Sequence, residues 1–183
     1  NEASDMVTGI DLVKAMLEVA ALIPEVVLCT ADVSVPMGTV PFAKQYPERA
    51  FSFGIAEQNM MAASAGMATT GLIPFASTYA VFATMRALDQ VRNSICYPNL
   101  NVKIAASHGG ITPAPDGVSH QAQEDLSIMR ALANMTVIAA ADPTTNKMAV
   151  HAAARTVGPV YLSFTRDPVP FLFTDDYPFQ IGR

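Results

Sequence analysis

The stretch GIAEQNMMAASAGMATTGLIPFASTYAVFATMRALDQVRNSICYPNLNVKIAASHGG, residues 54–110, decides the class of fold. Gly54 turns the chain into a helix predicted from about Ala56 to Thr70. Gly71 closes it, as the residue that takes a left-handed helix end at least cost. Ile73–Ala76 is a short apolar run, Thr78–Asn93 reads as a long helix, and Val102–Ala106 is a second apolar run. Neither run alternates apolar with polar residues. Strands without that period of two are covered on both faces, as in a parallel sheet with helices above and below.

The same pattern extends outward in both directions. Ile10–Ala21 carries apolar residues at 10, 12, 13, 16, 17 and 20, one face of a helix that Pro24 ends. Val26–Cys29 and Phe51–Phe53 read as strands, separated by a loop that Pro36, Gly38 and Pro41 mark. Beyond the Gly- and Pro-rich loop from Ser107 to Gln121 come a helix over Gln123–Ala131 and a strand over Thr136–Ala140. A helix capped by Asp142-Pro143 then runs to Arg155, and a last strand covers Pro159–Phe164. Strand and helix alternate throughout, which predicts a three-layer α/β/α domain around a mostly parallel sheet. Residues 1–170 form that domain. The Pro-, Asp- and aromatic-rich tail to Arg183 reads as a linker.

Composition narrows the function classes. The chain has 183 residues, 51% of them hydrophobic and 15% charged, so it folds and leaves apolar surface for a partner. The formal net charge is −5, and the 11 Lys and Arg are scattered, which excludes a nucleic-acid surface. The most apolar stretch, Met60–Ala68, is interrupted by Ser64 and Gly66 and is too short to span a bilayer. Asn1–Met6 has neither the basic start nor the apolar run of a signal peptide. Cys29 and Cys96 stand apart in apolar contexts and read as buried free thiols, which makes cytoplasm the expected compartment.

In open parallel sheets, ligands bind beyond the C-terminal ends of the strands. Asp32, the Gly54–Glu57 turn, Thr78–Tyr79, the His108 loop, Asp142 and Arg166 all follow predicted strands. They therefore gather on one rim. Glu57 is the strongest anomaly there, an acid at the start of a helix made of small and apolar residues. Its ordinary use is to complement the helix dipole. Buried against another surface it is instead desolvated, its pKa rises, and it becomes a general acid. His108, Asp116 and His120 share one loop, SHGGITPAPDGVSHQ, that can deliver two imidazoles and a carboxylate to a polar substrate. Zinc needs more ligands at closer spacing. Tyr79 and Phe82, spaced i, i+3 on the helix predicted from Thr78, are either core residues or a stacking surface for a ligand. Arg166 is a solvated cation or a partner for a carboxylate or phosphate. His151, in KMAVHAAAR, reads as an ordinary surface or packing residue. The chain has no GxGxxG, Walker A, GxSxG or Gly-Asp-Gly motif, so nothing in it cradles a diphosphate.

Residues 54–93 followed by NVKIAASHGGITPAPDGVSHQAQEDLSIMRALANMTVIAAADP resemble the transketolase family, and within it the pyrimidine-binding domain that opens the enzyme's C-terminal half. The resemblance covers roughly Gly9–Pro170 and carries its glycine, glutamate, aromatic, His-loop and Asp-Pro elements in family order. It implies a parallel α/β fold and thiamine diphosphate as cofactor. It implies that Glu57 bonds a ring nitrogen of the aminopyrimidine and so promotes deprotonation of the thiazolium carbon. Tyr79, Phe82 and Met85 would then form the aminopyrimidine pocket, with Asp32 beside the thiazolium. By the same resemblance His108 and His120 contact sugar oxygens and move protons, Asp116 reads a substrate hydroxyl, and Arg166 binds a sugar phosphate. The family's Mg²⁺ and diphosphate are held by a separate domain, which makes that domain or subunit a partner of this chain. In the family the active site lies between two chains, so the resemblance implies a homodimer through the Glu57 helix. Residues 171–183 fall where a linker to a C-terminal domain would run. Three positions depart from the sugar-phosphate pattern: no Arg precedes Arg49, Pro36 sits four residues after Asp32, and Pro115 precedes Asp116.

The resemblance implies a two-carbon ketol transfer between sugars or sugar phosphates. A 1-deoxyxylulose-5-phosphate synthase or a 2-oxo acid dehydrogenase beta-type subunit shares the Glu and the fold, but the two-histidine loop with DGVSHQ favours transketolase. A non-catalytic α/β interaction module would be marked by loss of Glu57 or the His loop, and both are present.

Overall fold

The computed structural model describes the backbone of residues 8–182 and the side chains of residues 12–182. Asn1–Met6 and the side chain of Ile10, both used in the sequence reading, lie outside the described residues. Six strands form one sheet: β1 (Val26–Thr30), β2 (Ala50–Ser52), β3 (Ile73–Tyr79), β4 (Lys103–Ser107), β5 (Thr136–Ala139) and β6 (Val160–Ser163). Their order is β2-β1-β3-β4-β6-β5, and every neighbouring pair is parallel. The helices are α1 (Thr8–Leu22), α2 (Val40–Gln45), α3 (Glu57–Thr69), α4 (Asp125–Arg130) and α5 (Pro143–Arg155).

The continuous apolar runs are explained by the two faces they serve. Leu28, Phe75, Ala105 and Leu162 point into one core, under Leu12, Met16 and Val19 of α1 and Ala149, Val150 and Ala153 of α5. Their neighbours Cys29, Ala76, Ile104 and Tyr161 point into the other, under Met60 and Met61 of α3 with Val91, Ile95 and Met129. Residues of the four central strands β1, β3, β4 and β6 are thus almost all buried whichever way they face, and no alternation survives in their sequence, while the edge strands β2 and β5 stay partly exposed. The expected three layers are present.

One element differs from expectation. The strand predicted over Ile73–Ala76 continues to Tyr79, because Ser77, Thr78 and Tyr79 pair in register with Ala105, Ala106 and Ser107 of β4. The helix expected from Thr78 starts later and contains two π-helical stretches, Phe82–Arg86 and Gln90–Cys96. In the first, Ala87 N–H donates to Phe82 O, while Thr84 Oγ1 donates to the carbonyl of Ala80. A side chain that takes over a carbonyl in this way competes with the regular ladder, and π turns concentrate at functional sites. Tyr79 therefore sits at a strand end and not on a helical face with Phe82.

Asp142 serves α5 and not the rim cluster expected of it. It caps α5 in a reciprocal box with Thr145, and its Oδ2 accepts the N–H groups of Leu172 and Phe173. The tail is thereby tied to the domain at residues 172–173. His151 bonds Glu18 across α1 and α5, the packing role expected of it. Cys29 and Cys96 are buried free thiols, and burial pushes both up to about 11.

Lys103 is fully buried at the start of β4, donating to the carbonyls of Thr156 at 2.6 Å and Gly158 at 2.7 Å. It ties the chain leaving α5 to the sheet. Burial pulls its pKa down to about 7, far below an unfolded lysine. The unfolded chain then holds more protons between pH 7 and about 10, so stability rises with pH there, by at most about 1.4 kcal/mol per pH unit. The gain disappears as pH falls from about 10 to 7, and below 7 both states hold the proton and the slope vanishes. Urea unfolding at stepped pH should show this slope, and Lys103→Met should flatten it. An equal slope in both proteins would assign it to other groups.

Candidate active site at the sheet rim

The sheet reverses its direction of growth between β1 and β3, and the site lies beyond their C-terminal ends, as the topology requires. Asp32 follows β1 in a left-handed conformation, φ 61°, and is exposed. Its loop returns through Pro36 and buried Met37. Tyr79 ends β3, and His108 follows β4 directly, also left-handed at φ 64°. Backbone strain of this kind in non-glycine residues gathers at functional sites.

The loop after His108 is pinched into a compact lobe. Gly110 and Ala122 exchange backbone hydrogen bonds of 2.9 Å in both directions. The neck rests on a buried network in which Tyr161 Oη (2.8 Å) and Ser163 Oγ (3.1 Å) both donate to Asp125 Oδ2. Burial and the Asp125 carboxylate hold the Tyr161 phenol well above its ordinary pKa, so it stays a donor. Gly109 packs so closely on this network that a Cβ would fall 2.9 Å from Ser163 Oγ. The lobe returns Asp116 and His120 to the rim.

A column of flat groups crosses the site. The Tyr79 ring stacks on His108 at 4.0 Å between centroids and on Phe82 at 5.8 Å. His120 stands edge-on to both Tyr79 and Phe82. The Arg86 guanidinium lies over the Phe82 ring, 4.0 Å from its centroid. Glu57 and Arg86 stand at one end of this column. The other end opens into a cavity of about 380 Å³ whose wall includes Met37, Tyr79, Ser107, His108, Asp116 and Arg166. Arg166 pairs with Asp116 at 3.5 Å. Burial pulls His108 down to about 4, helped by the neighbouring Arg166 cation, so the ring is neutral at pH 7. Met85 is exposed on the same π turn as Phe82 and Arg86.

Glu57 is 2% exposed, the buried acid expected at the start of α3. Its surroundings are not the wholly apolar ones expected. Arg86 Nη1 donates to both carboxylate oxygens, at 3.1 and 3.0 Å. The outer face of α3 also stays exposed in the single chain, through Gln58, Asn59, Ala62 and Gly66. Arg86, Ser107, Met37 and Asp125 escaped the sequence reading. Each gains its meaning from a partner distant in sequence or, for Ser107, from both a neighbour and a distant one. Only Arg86 gave a local signal, as a cation on the same turn as Phe82.

The rim could hold a flat heterocycle against the Tyr79 and Phe82 faces with Glu57 bonding its edge. The cavity beyond, walled by the Arg166 cation, the Asp116 carboxylate and the His108 imidazole, suits a polyhydroxylated ligand. Among the described residues no three of His, Cys, Asp or Glu gather as a metal site requires. None of their helices is long and apolar enough to cross a membrane.

Fold and geometry together define a parallel α/β domain with a candidate ligand site at its switch point. Comparison with known proteins names the family. Residues 8–170 match the family described as transketolase, pyrimidine binding domain, and the chain belongs to it. A putative transketolase C-terminal section from Methanocaldococcus jannaschii is 43% identical over 172 residues, 93% of this chain and 54% of that protein. A 6-deoxy-6-sulfo-D-fructose transketolase subunit from a Clostridium species is 36% identical over 176 residues, 96% of this chain and 54% of that protein. Among solved structures, a split-gene transketolase described as an inactive beta4 tetramer superposes with a TM-score of 0.84 at 49% identity, over 94% of this chain and 56% of that one. The chain thus spans about half the length of these relatives.

Proposed function

We propose that this chain supplies the pyrimidine-binding half of a thiamine-diphosphate-dependent site that transfers a two-carbon ketol unit between sugars or sugar phosphates. The observation that carries the reading is the buried Glu57 carboxylate joined through Arg86 to the stacked rings of Phe82 and Tyr79. These residues fit an aminopyrimidine, with Glu57 bonding a ring nitrogen and Met85 closing the exposed side. When bound, the cofactor supplies a thiazolium carbon that becomes a nucleophile towards the ketose carbonyl. This chain's residues hold and orient the ring, and Glu57 holds the proton on that nitrogen. Asp32 stands on the thiazolium side. His108 and Asp116 in the cavity, with His120 beside the Tyr79 and Phe82 rings, contact sugar oxygens, and Arg166 receives a phosphate or other anionic end of the substrate.

Mg²⁺ and the diphosphate fall to a second domain or subunit, because Mg²⁺ is normally held by carboxylates together with phosphate oxygens. The apolar side chains left exposed around the rim, Val35, Ile55, Met85, Ile111 and Val118, support a covering partner there. We also propose that the chain pairs with a second copy through the outer face of α3. The beta4 assembly of the split-gene relative supports self-association of this kind of chain. The two free thiols suit a reducing cytoplasm.

Calorimetry tests the division of labour. The chain alone should bind thiamine diphosphate weakly or not at all, and adding the diphosphate-binding subunit with Mg²⁺ should bring tight binding. Micromolar, Mg²⁺-dependent binding by the chain alone would place the diphosphate anchor within it and overturn the half-site reading.

A further inference from the structure

His108 makes a contact that fixes more than its position. Its Nδ1 lies 2.5 Å from Ser107 Oγ, and the same Oγ lies 2.9 Å from the sulfur of Met37. All three residues are buried. A thioether sulfur can only accept, and a serine hydroxyl has a single proton. That proton cannot serve Nδ1 and Sδ together. If it goes to Nδ1, Oγ and Sδ face each other with lone pairs at 2.9 Å. If it goes to Sδ, the contact with the ring needs a proton from Nδ1, and both contacts are then satisfied. We infer that Ser107 and Met37 act as a positioning pair that holds His108 as its Nδ1–H tautomer, leaving an unprotonated Nε2 for a ligand in the rim cavity.

The ring is well placed for this. It is 5% exposed and stacked on Tyr79, and its backbone is set in the left-handed region directly after β4. The charged and titratable groups around it are Arg166 and His120, which disfavour its protonation, and Asp116 and Asp167, which favour it. Burial adds to the former, so the ring stays neutral through the physiological range. His108 lines the cavity, and Nδ1 is committed to Ser107. Its remaining nitrogen can accept a hydrogen bond or a proton from a ligand hydroxyl but cannot donate one. In this cavity Arg166 is a charged donor, while His108 and Asp116 are acceptors. That division selects a hydroxyl-bearing carbon on the ligand over a carbonyl oxygen at the His108 position. The tautomer rests on the geometry alone. Its use on a substrate hydroxyl rests on the function proposed above.

Long-range proton–nitrogen NMR on the ¹⁵N-labelled full chain, without ligand, reads the tautomer directly, with His108 assigned by its absence in His108→Gln. The expected result at pH 7 is a pyridine-like, unprotonated Nε2. Met37→Leu keeps the volume but removes the sulfur acceptor, which frees the serine proton for Nδ1. It should shift the balance towards Nε2–H by about tenfold, the scale of one buried hydrogen bond. Ser107→Thr retains the hydroxyl and should keep the Nδ1–H form, while Ser107→Ala should lose the bias. A wild-type ring protonated at Nε2 overturns the inference, and so does a Met37→Leu chain with an unchanged tautomer. Because no cofactor or substrate is present, these outcomes are independent of whether the calorimetric test of the half-site succeeds.

Discussion

Glu57→Gln should slow exchange of the cofactor's thiazolium proton by about 10²- to 10⁴-fold in the enzyme assembled with its diphosphate-binding subunit, the range expected when a general acid is removed. Glutamine has the same shape and can still bond a ring nitrogen, but it cannot hold and release the proton. The substitution leaves the fold in place, because the group that loses its partner is Arg86, whose side chain is 46% exposed and can turn to water. The resulting loss is therefore chemical. NMR exchange of the thiazolium proton, with circular dichroism as a check on folding, is the measurement. A Gln variant that exchanges at the wild-type rate would remove Glu57 from the mechanism.

Arg86 adds a second expectation at the same place. It satisfies both oxygens of Glu57 and covers Phe82, the two surfaces proposed for the aminopyrimidine. A ring binding there must share Glu57 with Arg86 or turn the guanidinium outward.

Gly66→Arg should convert a self-associating chain into a monomer. Gly66 is exposed on the outer face of α3, and a Cβ there meets nothing within 4 Å. An arginine thus fits the single chain without strain, and it is the better helix former by up to about 1 kcal/mol. In a two-fold contact, the commonest symmetry, each arginine would instead meet the small residues of the copy. An interface of the usual size, above about 1,000 Å² in total, does not absorb two unpaired cations at its centre. Ala62 is an equivalent site. Ala63 is half-buried within its own chain and is a poorer choice. Light scattering gives the state of assembly and thermal unfolding gives the fold. A wild-type chain that is monomeric at high micromolar concentration, or an arginine variant that stays associated with an unchanged melting temperature, would move the interface away from α3.

The amino-acid sequence by itself determined the class of fold and the edge of the sheet on which the candidate site residues gather. Short apolar runs without alternation can be satisfied only when both strand faces are covered, and in a parallel sheet every strand ends on the same rim. Asp32, Glu57, His108 and Arg166 were therefore legible as a rim group before any contact was known. The buried thiols and the Asp142 cap of α5 were equally local, each written within a few neighbouring residues. Tertiary structure alone decided the rest. The polar sequence Ser77-Thr78-Tyr79 became strand because β4 lies beside it in register, and that moved Tyr79 from a helix face to the centre of the ring column. The hold of Arg86 on Glu57 spans 29 positions, and that of Met37 on Ser107 spans 70. Periodicity records whether a residue is buried. It cannot record which distant atom will share its proton or its charge, because that choice is made only when the elements pack.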